Sequence, residues 1–216
     1  MEHTITIYCK NTKSYHEVER GISLTQLKEQ LHIELKYPII AARVNYKLEN
    51  LDFLLYKPKD VEFLDISSHS GRRCYVRTLI MVFACAVHEL YPEADLRIEH
   101  PICKGYYCTL QGKELTEDMV LAIKERMCQI IRENRRIEEM EKQTKEVIRI
   151  FAKQTDGKAT LFRTLGNPYC RYFRMGDYND YYMSVLMPSS GYINIFDLEP
   201  YHDGMLLRVP SRTNPE

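Results

Sequence analysis

The stretch Arg72-Arg-Cys-Tyr-Val-Arg-Thr-Leu-Ile-Met-Val-Phe-Ala-Cys-Ala-Val-His-Glu-Leu-Tyr-Pro92 decides how this chain is read. Every residue from Leu79 to Val87 is apolar, so a helix here is apolar on all sides and has to be wrapped by protein, as the central helix of a layered domain is. It is too short for a membrane span, which takes about 20 apolar residues, and Arg77, His88 and Glu89 interrupt it. Pro92 sets its end, because the residue before a proline is pushed out of the α region. Outward from it the sequence reads as two folding units, and the functional question is what this helix presents to a cleft.

Composition narrows the choices. The chain has 216 residues, 44% of them hydrophobic, enough for one large or two small cores. Thirty basic and thirty acidic residues cancel, so no global field draws the chain to nucleic acid or an anionic membrane. Any RNA binding has to be local. Seven cysteines, at 9, 74, 85, 103, 108, 128 and 170, are an odd number, several lie in apolar segments and none forms CxxC. This fits reduced core thiols in a cytoplasmic protein better than a disulfide framework or a thiolate zinc site. The start of the chain lacks the basic and apolar regions of a signal peptide.

Before the central stretch, Thr4 to Cys9 and Tyr15 to Glu19 alternate as strands. Ser23 caps a helix expected to run to Lys36 on Leu24, Leu27, Leu31 and Leu35. Ile39–Val44, Leu51–Leu55 and Val61–Ile66 read as short strands, with a turn over Asn45 to Asn50. Ser67 to Gly71 reads as a polar linker between units at 1–66 and 72–210. After the central helix come a strand pair, Leu96–Pro101 and Gly105–Leu110, around a turn at Lys104-Gly105. Thr116 caps an amphipathic helix reaching about Arg132; a brief strand at Arg136–Met140 and a helix at 144–153 follow. From Lys158 onward the chain reads as strand-rich, with segments at 169–175, 181–187, 192–198 and 205–209. The fold class is α+β, helices on an antiparallel sheet. Residues 211–216 read as the start of a linker to a domain absent from this sequence.

The N-terminal order, with Ala42-Arg-Val-Asn45 and Pro58-Lys-Asp-Val-Glu-Phe-Leu64, resembles a TGS domain, the ubiquitin-like β-grasp module at the front of threonyl-tRNA synthetases and in some GTPases. In the second unit, Leu90-Tyr-Pro92 ending a buried helix, Ile98-x-His-Pro-Ile-x-x-Gly-Tyr-Tyr107 and Leu115-Thr-Glu-Asp118 resemble the editing domain of threonyl-tRNA synthetase. The same pair also precedes the P-loop kinase domain of uridine-kinase-like proteins, and the sequence is read as nearer to that family. The resemblance implies a non-catalytic recognition or regulatory front end of a nucleoside kinase, with ATP and magnesium used only in a downstream domain. The alternatives are a tRNA-binding or freestanding aminoacyl-tRNA editing protein, and an interaction scaffold.

Editing domains of this type carry HxxxH on the central helix and CxxxH near a later strand. The resemblance places these positions at Arg77 and Met81, and at Tyr182 and Leu186. An arginine cannot serve as a general base and a methionine or leucine cannot move a proton, so the cleft lacks the base and ligands of that hydrolysis, and no catalytic residue and no metal site is expected. Gly157-Lys158 imitates the end of a Walker A loop, but Ala159 stands where the magnesium-binding Ser or Thr would be, so it reads as a polar turn. His88 and His100 read as structural.

Binding is the better-supported chemistry. Tyr169-Cys-Arg-Tyr-Phe-Arg174, then Tyr178, Tyr181 and Tyr182, interleaves arginine with aromatic residues, a combination that holds phosphates while stacking bases. The other reading is strand-forming aromatics with arginines solvated or paired to Asp177 and Asp180. Arg73, Arg77, Tyr106, Arg171, Arg174 and Tyr182 are therefore the candidate binding residues for a nucleotide or small anion. Arg77 and Tyr182 are expected to face each other across one pocket.

Overall fold

The computed structural model describes residues 3–102, 105–152 and 156–211. The turn expected at Lys104 and the tail from 212 lie outside these residues.

The N-terminal part contains β1 (Thr4–Cys9), β2 (Ser14–Glu19), β3 (Ile22–Ser23), α1 (Leu24–Gln30), β4 (Ala41–Val44), β5 (Lys47–Glu49), β6 (Leu54–Leu55) and β7 (Asp60–Leu64). Five of the strands form one sheet in the order β2-β1-β7-β4-β5, with β1 and β7 parallel and the other pairs antiparallel; β3 and β6 pair apart from it. Ser23 starts α1 with a reciprocal cap: its hydroxyl accepts from the Gln26 amide at 3.1 Å, and the Gln26 side chain accepts from the Ser23 amide at 3.0 Å.

The expected helix to Lys36 stops at Gln30, because His32 takes a left-handed conformation (φ 48°) just past the end. Leu31, Ile33 and Leu35 still pack on the N-terminal core, but from irregular chain. The expected turn from Asn45 to Asn50 is narrower. Asn45 (φ 54°) and Tyr46 alone make the bend, and Lys47–Glu49 pairs back on β4.

The junction is no linker. Helix α2 spans His69–Leu90, and the Ser68 hydroxyl caps it by accepting from the Gly71 amide at 3.0 Å. Buried Asp65 accepts from the Ser67 amide (2.9 Å) and from the Tyr37 amide (3.3 Å), which pins the corner. A Cβ at Gly71 would come within 2.0 Å of the Asp65 carbonyl oxygen, so only glycine fits this approach. Ile40, Ala41 and Ile66 share one apolar cluster with α2, so packing is continuous across the corner.

Helix α2 is the centre of that cluster, as its apolar circumference requires. Leu79, Met81, Val82 and Phe83 are fully buried, each removal from water contributing roughly 1.5–3 kcal/mol. Around it lie β8 (Asp95–Ile102), β9 (Gly105–Gln111), α3 (Glu117–Arg132), β10 (Glu138–Gln143), α4 (Thr144–Ala152), α5 (Asp156–Thr164), β11 (Tyr169–Met175), β12 (Tyr178–Asp180), β13 (Asp197–Tyr201) and β14 (Gly204–Arg208). They form two antiparallel sheets, β13-β14-β9-β8 and β10-β11-β12.

Three expectations fail in this half. The strand expected at 192–198 is a 3-10 turn over Ser190–Tyr192 followed by irregular chain, and β13 begins only at Asp197. Helix α5 stands where strands were expected, because Ala159 and Phe162, three apart, pack with Val147 and Phe151 of α4 in a separate small core. Tyr181–Met187 forms no ladder; it crosses the molecule as irregular chain between two cavities. Among the described residues no helix is long and apolar enough to cross a membrane.

Candidate functional site

Ile80, Ala84 and His88 recur every four residues on α2 and are half-buried, while the other residues from Thr78 to Val87 are buried. They form one wall of a cavity of about 700 Å³. Leu96 and Ile98, alternate residues of β8, form a second wall, and Lys158 from the first turn of α5 with Tyr178, Asp180 and Tyr182 forms the third.

Asp180 is the polar centre of this cleft, 4% exposed. One carboxylate oxygen accepts from the Lys158 ammonium at 2.5 Å and the Tyr181 amide at 2.6 Å; the other accepts from the hydroxyls of Tyr182 at 3.0 Å and Tyr178 at 3.2 Å. Burial, and then the Asp180 charge, push both phenols well above their usual range, so each keeps its proton and donates it. The Lys158 side chain is 39% exposed, so one cation reaches the cavity while its partner stays inside. The His88 ring packs against Tyr178, 5.4 Å between centroids.

The positions singled out in the sequence divide into three places. Met81 and Leu186 are fully buried in the main apolar cluster and offer nothing to the cleft. Tyr182 lines the cleft, but its hydroxyl is committed to Asp180. Arg77 does not line the cleft, and burial, then the neighbouring Arg73 charge, lower its pKa from the ordinary arginine value. The facing of Arg77 and Tyr182 across one pocket is therefore corrected; Arg73 stands one turn before Arg77 on α2, and Tyr106 lies on β9.

Arg171 and Arg174 sit elsewhere. In β11 Cys170 and Tyr172 pack in the small α4–α5 core, Phe173 and Met175 pack in the main apolar cluster, and Arg171 and Arg174, three apart, are exposed on opposite faces. Arg171 pairs with Glu139 and Glu141, and Arg174 with Glu138, across the β10 register. The interleaving seen along the chain is thus split over two faces, and the acidic partners are on β10 rather than Asp177 or Asp180. Arg171 and Tyr182 reappear in the lining of a second cavity, about 480 Å³, which also touches Lys47–Glu49 of β5.

Sequence reading passed over Asp180 and Lys158. A signal was present: Tyr178, Asp180 and Tyr182 alternate, which in extended chain puts all three on one face. The thiol of Cys85, within 3.7 Å of both Glu89 and Arg135, is pushed up to about 12 by burial first and the Glu89 charge second, so it stays a neutral thiol. Among the described residues no group of three or more His, Cys, Asp or Glu converges to hold a metal ion.

No protein-family model matches the chain. The threonine–tRNA ligase of Clostridium kluyveri is 28% identical over 190 residues, 87% of this chain and 30% of the ligase. That of Syntrophomonas wolfei is 29% identical over 181 residues, 82% of this chain and 28% of the ligase. Threonine–tRNA ligase 2 of Bacillus subtilis is 28% identical over 186 residues, 84% of this chain and 29% of the ligase. The chain spans less than a third of the length of these curated relatives, and over more than four fifths of its own length it is similar to them.

Proposed function

We propose that this chain is a recognition module related to threonyl-tRNA synthetase, one that binds the aminoacylated end of a tRNA and does not hydrolyse it. In this reading residues 1–66 act as a TGS-like β-grasp module and 72–210 as an editing-like domain. The observation that carries it is the α2 cleft: apolar walls and tyrosine rings suit a nucleoside, the exposed edge of Lys158 suits an oxygen of the ester or phosphate, and the expected hydrolytic positions Met81 and Leu186 lie in the core. The similarity to threonine–tRNA ligases favours this over a nucleoside-kinase front end, for which ATP and magnesium would be handled in another domain.

Filter binding with threonyl- and seryl-tRNA, run beside a deacylation assay, tests it. Saturable binding with no turnover above a heat-killed control is expected. Absence of binding overturns the recognition role. Turnover that disappears in His88→Ala overturns the non-hydrolytic role and makes the imidazole in the cleft the base of a freestanding deacylase.

A further inference from the structure

We propose that the outer edge of β5, with the cavity of about 480 Å³ beside it, binds an extended segment of a partner protein that carries alternating apolar and basic side chains.

Strand β5 is the last strand of the five-stranded sheet, so one of its sides has no strand beside it. The two-residue bend at Asn45-Tyr46 makes Val44 and Lys47 the hydrogen-bonded closing pair, and Ala42 and Glu49 the next. Leu48 lies between them, opposite Arg43 in a non-hydrogen-bonded pair, so its N–H and C=O point away from β4. Lys47, Leu48 and Glu49 all line the cavity although their side chains leave opposite faces of the strand, which puts the open edge itself on the cavity. Three exposed large apolar side chains, Leu165, Tyr169 and Met183, gather in the remaining lining, and Met183 is 91% exposed. Exposed apolar groups collected around an open strand edge mark a surface for another chain. A strand added there pairs with the β5 backbone and sets alternate side chains into the cavity.

The charge of the lining selects the occupant. Lys47 pairs with Glu49 at 2.9 Å, while Arg171 alone answers both Glu139, at 3.3 Å, and Glu141, at 3.2 Å. The lining thus holds three carboxylates against two cations, one negative charge in excess, and an incoming lysine or arginine balances it.

Fluorescence anisotropy of the full chain with three labelled pentapeptides tests the site: valine alternating with lysine, the same peptide methylated on its backbone nitrogens, and valine alternating with glutamate. The lysine peptide is expected to bind saturably, and less tightly as salt rises. The methylated and glutamate peptides are each expected to bind weaker by about tenfold or more, the first through lost strand pairing and the second through like charge. Glu141→Lys is expected to weaken the lysine peptide by a similar factor and to strengthen the glutamate peptide. Met183→Ala is expected to weaken the lysine peptide, and Leu121→Ala, at an exposed position of α3, to bind it as the parent does. No binding of the lysine peptide, equal binding of its methylated form, or affinity unchanged in Glu141→Lys overturns the proposal. Self-association in sedimentation that Met183→Ala abolishes would place a second copy of the chain on this edge, and overturns it as well. Failure of aminoacyl-tRNA to bind in the α2 cleft would leave these outcomes unaffected.

Discussion

The hydroxyl of Thr78 accepts a hydrogen bond from the amide of Met187 at 3.0 Å and donates to the Cys74 carbonyl one turn back, with Thr78 fully buried. This single contact ties the middle of α2 to the irregular segment carrying Tyr182 and Leu186. Thr78→Val keeps the shape and removes the acceptor, leaving the Met187 amide buried and unpaired. A loss of about 1–3 kcal/mol is expected in urea unfolding. A change under about 0.5 kcal/mol, the size of an ordinary surface effect, would show that the contact does not hold the segment.

Tyr182→Phe removes one of four hydrogen bonds to Asp180 and leaves the ring in place. The expected cost in stability is about 1 kcal/mol, because Lys158, Tyr178 and the Tyr181 amide still satisfy the carboxylate. Lys158→Ala removes the cation that reaches the cavity. It is expected to weaken aminoacyl-tRNA binding about tenfold or more, the range for a hydrogen bond to a charged group. Equal affinity for parent and variant in filter binding would take Lys158 out of the site.

Partial burial works against the charge of Glu89, but hydrogen bonds from Arg135 and from Arg126 outweigh it and hold the carboxyl below its usual range. A depressed carboxyl contributes stability that is present above its unfolded value, about 4.5, and is lost as pH falls through the folded value. Urea midpoints measured from neutral pH downward are therefore expected to fall below about pH 4.5. Glu89→Gln is expected to be less stable at neutral pH and to show a shallower acid loss. Parallel curves for the two proteins would remove Glu89 as a source of the acid sensitivity.

Burial pushes the thiols of Cys74, Cys85 and Cys108 from about 9 up to about 12. Their contribution to stability is full below the unfolded value, about 9, and is lost as pH rises from there toward about 12. At about pH 8 these three thiols are expected to resist a thiol reagent in the native protein and to react once it is unfolded in guanidinium, as peptide mapping would read. Labelling of any of them in the native state would show a local opening at that residue.

Local pattern alone determined the central helix, since a run apolar on every side has one stable place, and Tyr91-Pro92 ends it where the backbone must leave the α region. It also determined β1, β2, the Ser23 cap and the Thr116 cap, because alternation and capping act over four residues or fewer. The end of α1 was not legible: Leu31 and Leu35 keep helical spacing, yet both reach the core from irregular chain once His32 turns left-handed. Nor was the site. Asp180 meets Lys158 across 22 positions and Arg174 meets Glu138 across 36, and no local periodicity records which charge lies opposite which. Those pairings exist because the two sheets and α5 fold back on one buried helix: strand register sets Glu138 opposite Arg174, and burial requires the enclosed Asp180 to find its partner in space rather than along the chain.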